Sequence, residues 1–96
     1  MKVNILGTDY EIIYENFGRD NRDGFVSIDT KTIHIDSQIT SKERHDVALK
    51  HELVHAFFYE SGLEEYFYDE KLVSWVAMQL NKINKVFDEV IKLEVF

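Results

Sequence analysis

Apolar residues follow two different periods along the chain. In the first third they are short, β-prone runs. Val3–Leu6 and Tyr10–Tyr14 flank Gly7 and predict a hairpin around Gly7-Thr8. Residues 16–24, NFGRDNRDG, are polar and turn-rich and predict a loop. In FVSIDTKTIHID, Phe25, Ser27 and Asp29 alternate with Val26 and Ile28, and Ile33 and Ile35 flank His34. This period of two around a polar Thr30-Lys31 predicts a second hairpin.

From residue 40 the period becomes helical. Thr40 with Glu43 fits a capping box, and Ser41 is a competing N-cap. Residues 41–59 contain neither Gly nor Pro, and Gly62 is a natural stop. Val47, Leu49, Leu53, Val54, Phe57 and Phe58 supply the apolar surface of this first helix. Residues 63–68, LEEYFY, fit a loop or the first turn of the next helix equally well. From about Asp69, Val73, Val76, Ala77, Leu80, Ile83, Val86, Phe87, Val90 and Ile91 recur at helical spacing. The pattern predicts an α+β fold: three or four strands in N-terminal antiparallel β-hairpins, then two packed helices on one face of a small sheet. Trp75, Met78, Phe57, Phe58 and Phe67 are expected mostly in the core. Tyr59, Tyr66 and Tyr68 are close enough in sequence to rim a cleft.

With 96 residues, 45% of them apolar, the chain is expected to be one small domain spanning 1–96, with side chain enough for one core. The net charge of −7 repels phosphate backbones and argues against nucleic acid and against a polybasic membrane contact. The apolar run at the N-terminus is broken by Asn4, Thr8, Asp9 and Glu11, so it does not read as a signal segment. The expected compartment is the cytoplasm. There is no Cys, so any metal must be held by His, Asp or Glu.

His51-Glu52-Leu53-Val54-His55 matches H-E-x-x-H inside the first predicted long helix. Ordinary residue usage yields that trio by chance in roughly a few chains per thousand of this length. Residues four apart are about 6 Å apart along the axis and share a face, so both imidazoles can address one ion. Glu52 is rotated about 100° from His51. It sits beside the ion, where it can take a proton from an attacking water. A catalytic zinc needs a third protein ligand and an open position. His45, about 10 Å upstream on the same helix, is too far away. His34, on a predicted strand, is not excluded by spacing. Its simplest reading is a solvent-facing strand position, and its functional reading is an oxyanion stabiliser. Glu70 is the better candidate. Val73, Ala77, Leu80, Asn84 and Phe87 follow it at helical steps, and most of that stripe is apolar, which puts it on or beside the buried face of the second helix. A carboxylate there needs a partner or a metal. Asp69, Glu65 and Glu64 are the alternatives nearby, and an exposed first-turn Glu70 favoured by the helix dipole is the bland reading. A His-His-Glu zinc implies hydrolysis of a peptide or other amide bond. The second hairpin would offer an edge strand for an extended peptide substrate.

The stretch KTIHID…ALKHELVHAFFYESGL…DEKLVSWVAMQL, roughly residues 24–80, resembles the small zincin-like metallopeptidases of phages and mobile elements, the ImmA/IrrE-like group. The resemblance implies zinc on His51, His55 and Glu70, Glu52 as general base, and a protein or peptide substrate such as a regulator. Two departures stand out. Relatives commonly carry Asp or Asn one turn after the ligand Glu, where this chain has Ser74. The longer members also have a Pro-containing segment after the second helix, and this chain has no Pro. A metal-binding regulatory protein of this fold without turnover is the alternative reading. A di-iron carboxylate site would need a second Glu-x-x-His, which the chain lacks.

Overall fold

Leu6 and Gly7 both have positive φ, 50° and 98°. They form a two-residue connection between Ile5 and Thr8, which are directly paired. Such a turn matches the natural twist of two antiparallel strands. Asn4 steadies it by accepting the Gly7 N–H at 2.9 Å. The turn thus sits on Leu6-Gly7, one residue earlier than the expected Gly7-Thr8.

The structure, a computed structural model, describes residues 1–94. Strands β1 (Lys2–Ile5), β2 (Thr8–Glu15), β3 (Gly24–Ser27) and β4 (Thr32–Asp36) are followed by helices α1 (Lys42–Glu60), α2 (Glu64–Phe67) and α3 (Glu70–Leu93). The class is α+β, as expected. Both expected hairpins are present. They join through a parallel pairing of β2 with β4, which gives the order β1-β2-β4-β3. Alternation tells which face a residue takes but not which strand lies beside it, so this join was not foreseen. Its result is that β3 lies at the rim of the sheet.

Ile5, Tyr10, Ile12, Ile33 and Ile35 point to one face and bury themselves against Ala56 of α1, with Leu49 and Leu53 packed alongside. The Tyr10 hydroxyl donates to Glu60 at 2.6 Å. Thr8 and Lys31 donate to the same carboxylate. This latch fixes the last turn of α1 over the sheet.

Ser41 caps α1 by accepting the Arg44 N–H, so it, and not Thr40, is the N-cap. At the other end Gly62 has φ 77°. Its N–H donates to the Tyr59 carbonyl and that of Leu63 to the Phe58 carbonyl. This left-handed cap turns the chain sharply and returns it along α1. The ambiguous segment becomes α2, a single turn. Asp69 then starts α3 by accepting the Leu72 N–H.

Val73 and Ala77 of α3 pack on Val54 of α1, with Phe58 and Val76 around them. Beyond this contact the expectation of a buried stripe fails. Leu80, Ile83, Val86, Phe87, Val90 and Ile91 are exposed. So are Trp75, Met78 and Phe57, which were expected in the core. The reason is geometric: α3 meets α1 only over its first turns and then runs on, which stretches the molecule to 52 × 32 × 26 Å. Among the described residues no helix is long and apolar enough to cross a membrane.

Candidate metal centre

Three faces of α1 are occupied by different partners. Leu49, Leu53 and Ala56 face the sheet, and Val54 faces α3. His51 and His55 fall between, on the side where α2 and α3 begin. Their Nε2 atoms are 3.2 Å apart. Glu70 in the first turn of α3 reaches both rings. One carboxylate oxygen lies 2.9 Å from His51 Nε2 and the other 3.0 Å from His55 Nε2. The three candidate ligands thus converge, with one ligand atom from each within 4.8 Å of the others.

The expected reason for placing Glu70 here needs correction. Its side chain is 70% exposed and is not driven inward by a buried face. The Asp69 cap and the buried Val73 set the start of α3, and this aims Glu70 at the histidines. The positive end of the helix dipole favours its negative charge.

His55 is 5% exposed. Its Nδ1–H donates to the Phe67 carbonyl at 2.6 Å. A carbonyl only accepts, so in the neutral ring the proton is on Nδ1 and Nε2 presents a lone pair. Burial holds the His55 pKa below the ordinary imidazole value, while Glu70 pulls the other way. Ser74 Oγ lies 3.4 Å from His51 Nδ1, on the side away from Glu70.

The donor set fits a zinc ion. The Nε2 lone pair of His55 and a Glu70 carboxylate oxygen face each other as two acceptors, an arrangement that calls for a proton or a cation between them. Ligands about 2 Å from a tetrahedral zinc lie about 3.3 Å from one another. The two Nε2 atoms, 3.2 Å apart, are close to this, and each faces a different oxygen of the Glu70 carboxylate, at 2.9 and 3.0 Å. Two imidazoles and one carboxylate leave a fourth position free.

Glu52 lies beside the two histidines, on the side of α1 towards β3, and is 6% exposed. Burial first, then the negative charge of Glu70, pushes its pKa up to about 7, with Arg22 opposing. It lines a cleft of about 580 Å³ between β3 and the helices, shared with His51, His55, Glu70 and Tyr68. Gly24 in β3 is a residue that sequence reasoning missed. A Cβ there would stand 2.7 Å from the His34 carbonyl oxygen and 3.0 Å from Glu52 Cγ. Close approach of β3 to α1 therefore requires glycine. A lone Gly next to a strand pattern was the available signal.

The other candidates lie elsewhere. His34 donates to Glu15 at 2.7 Å and stacks on Phe25, away from the cluster. His45 pairs with Asp46 and Tyr14. Glu64 and Glu65 are exposed on α2, and Asp69 is occupied as a cap. Of the three tyrosines expected at a rim, Tyr68 lines the cleft, whereas Tyr59 packs on Phe67 and Tyr66 on Phe58. No protein-family model matches the chain, and no curated protein or solved structure gives a significant match.

Proposed function

We propose that this chain is a zinc metallopeptidase of the zincin-like kind its motif resembles, acting on a protein or peptide substrate. The observation that carries the reading is the convergence of His51, His55 and Glu70 beside a cleft that also holds the buried Glu52. His51 Nε2, His55 Nε2 and the Glu70 carboxylate would hold the ion. Zinc there supplies Lewis-acid polarisation of a carbonyl and lowers the pKa of water to about 7.

The chain's own groups do the rest. The Phe67 carbonyl and Ser74 Oγ orient the two rings. Glu52 takes the proton of the attacking water at its carboxylate and delivers it to the leaving amine. Burial raises the proton affinity of this carboxyl, which favours its acting as the proton acceptor. The rim strand β3 runs along the cleft and offers backbone groups to an extended peptide. The resemblance implies a regulator protein as substrate and the cytoplasm of a bacterial host as the compartment.

The test is zinc content and hydrolysis of a casein-like substrate by wild type and four variants. Wild type and Glu52→Gln are expected to hold about one zinc per chain, and Glu52→Gln to lose cleavage. His51→Ala, His55→Ala and Glu70→Ala are expected to lose the metal. Zinc without cleavage in wild type would favour the regulatory reading. Full zinc in Glu70→Ala would remove Glu70 from the ligand set.

A further inference from the structure

The second half of α3 carries an apolar stripe that no described element covers. Ile83 is 57% exposed and Phe87 60%. The segment is also rich in β-branched residues, Ile83, Val86, Val90 and Ile91, which are indifferent helix formers. An unsupported helix of about this length is marginal in water. Something must hold it.

The spacing of the stripe says what. Leu80, Ile83, Phe87 and Val90 follow the 3-4-3 spacing of a helix-pairing seam. They are also symmetric about Lys85: two residues precede it and two follow at matching distances. A self-complementary contact about a twofold axis requires this, since residue i must meet j while j meets i. We propose that residues 80–93 of α3 pair antiparallel with the same residues of a second copy of this chain, about a twofold axis near Lys85.

In that arrangement Leu80 meets Val90 of the partner subunit, and Ile83 meets Phe87 of the partner subunit. Val86 and Ile91 widen the contact, and the remaining flanking positions, Gln79 and Asn84, are uncharged. Lys82, Lys85, Asp88, Glu89 and Lys92 all lie about 120° or more from the centre of the stripe. The pair therefore sets no charge of one copy against a like charge of the other at the seam. The exposed apolar side chains from Leu80 to Leu93 offer on the order of 600 Å² per chain, at the upper end for a surface patch, against the ~800 Å² per partner of a standard interface, which suits a dimer of moderate affinity. Antiparallel pairing also sends the two clefts to opposite ends, each about 22 Å along the helix from the axis. The inference goes beyond the zinc reading and does not depend on it.

Sedimentation equilibrium of the full chain tests it. A dimer is expected at tens of micromolar, with Ile83→Glu monomeric and Lys85→Glu, on the far face, still dimeric. Ile83 is exposed in the single chain, so a retained cooperative unfolding transition in urea separates lost pairing from lost folding. The natural chain has no Cys, which permits a check of orientation. In an oxidised mixture of Ile83→Cys and Phe87→Cys chains, mixed cross-links should outnumber links between like chains. A monomeric wild type at 100 μM would overturn the proposal and leave the stripe to a different protein. A dimer insensitive to Ile83→Glu would place the contact elsewhere. A preference for links between like chains would overturn the antiparallel arrangement.

Discussion

His55 Nδ1 and the carbonyl of Phe67 lie 2.6 Å apart, so the backbone of α2 determines which nitrogen of His55 faces Glu70. One short turn thus orients a ring on the neighbouring helix. The candidate site is held by three consecutive helices, each supplying one kind of part: α1 the imidazoles, α2 the orienting carbonyl, α3 the carboxylate.

An ion bound across α1 and α3 should stabilise the fold. At a free zinc concentration a hundredfold above Kd the gain is about 2.7 kcal/mol. That corresponds to a rise in Tm on the order of 10 °C for a domain of this size. Differential scanning calorimetry with zinc and then with EDTA should show the rise and its reversal, and His55→Ala should show neither. An unchanged wild-type Tm would argue against a folded-state zinc site.

Ser74 stands 3.4 Å from His51 Nδ1, a weak orienting contact. Groups in this position commonly alter metal affinity by about 10–100-fold. Ser74→Ala is expected to weaken zinc binding by up to about tenfold, and Ser74→Asp to tighten it, because a carboxylate makes the imidazole more basic. Competition with a fluorescent chelator would measure both. Equal affinities in all three proteins would mean that His51 is oriented by something else.

Gly24→Ala should damage catalysis more than metal binding. The new Cβ would press on the His34 carbonyl and on Glu52 Cγ. Overpacking of this kind costs about 1–3 kcal/mol. Because the crowded side chain is Glu52, cleavage should fall at least tenfold while zinc content stays near wild type. Wild-type cleavage by the variant would show that β3 can move aside freely.

Glu52 should cost stability in the metal-free chain. Its folded pKa of about 7 exceeds the ~4.3 of an unfolded Glu. The native state then binds the proton more tightly than the unfolded state does. Stability from this group is complete below about pH 4.3, declines as pH rises towards 7 and stays reduced above. The full difference is on the order of 3 kcal/mol. In EDTA, Glu52→Gln should therefore be more stable than wild type at pH 8 and gain little at pH 4. Urea titrations at the two pH values decide it. An equal difference at both would mean that Glu52 titrates as an ordinary surface carboxyl.

Much of the helical half was legible because its signals are local. The HExxH spacing, Gly62 as a stop and the start of α3 near Asp69 each depend on a few adjacent residues. The apolar stripe that follows Glu70 predicts that it faces a core. It is exposed, and it reaches the histidines because of where the Asp69 cap starts the helix. The parallel pairing of β2 with β4, and with it the rim position of β3, depends on contacts between distant strands and leaves no local trace. The need for Gly24 is likewise not local, since the atoms it makes room for belong to His34 and Glu52. Periodicity also reported that α3 has an apolar face, but not how far its neighbour extends along it.

The three converging side chains are close in sequence. His51 and Glu70 are 19 positions apart and the two histidines 4, whereas the Thr8–Glu60 latch spans 52. Closing a short loop forfeits less chain entropy and happens sooner than closing a long one. The helix–turn–helix half can thus come together before the strands find their register. In refolding of the whole chain, the two imidazoles and the carboxylate would therefore meet before the sheet beneath them is complete.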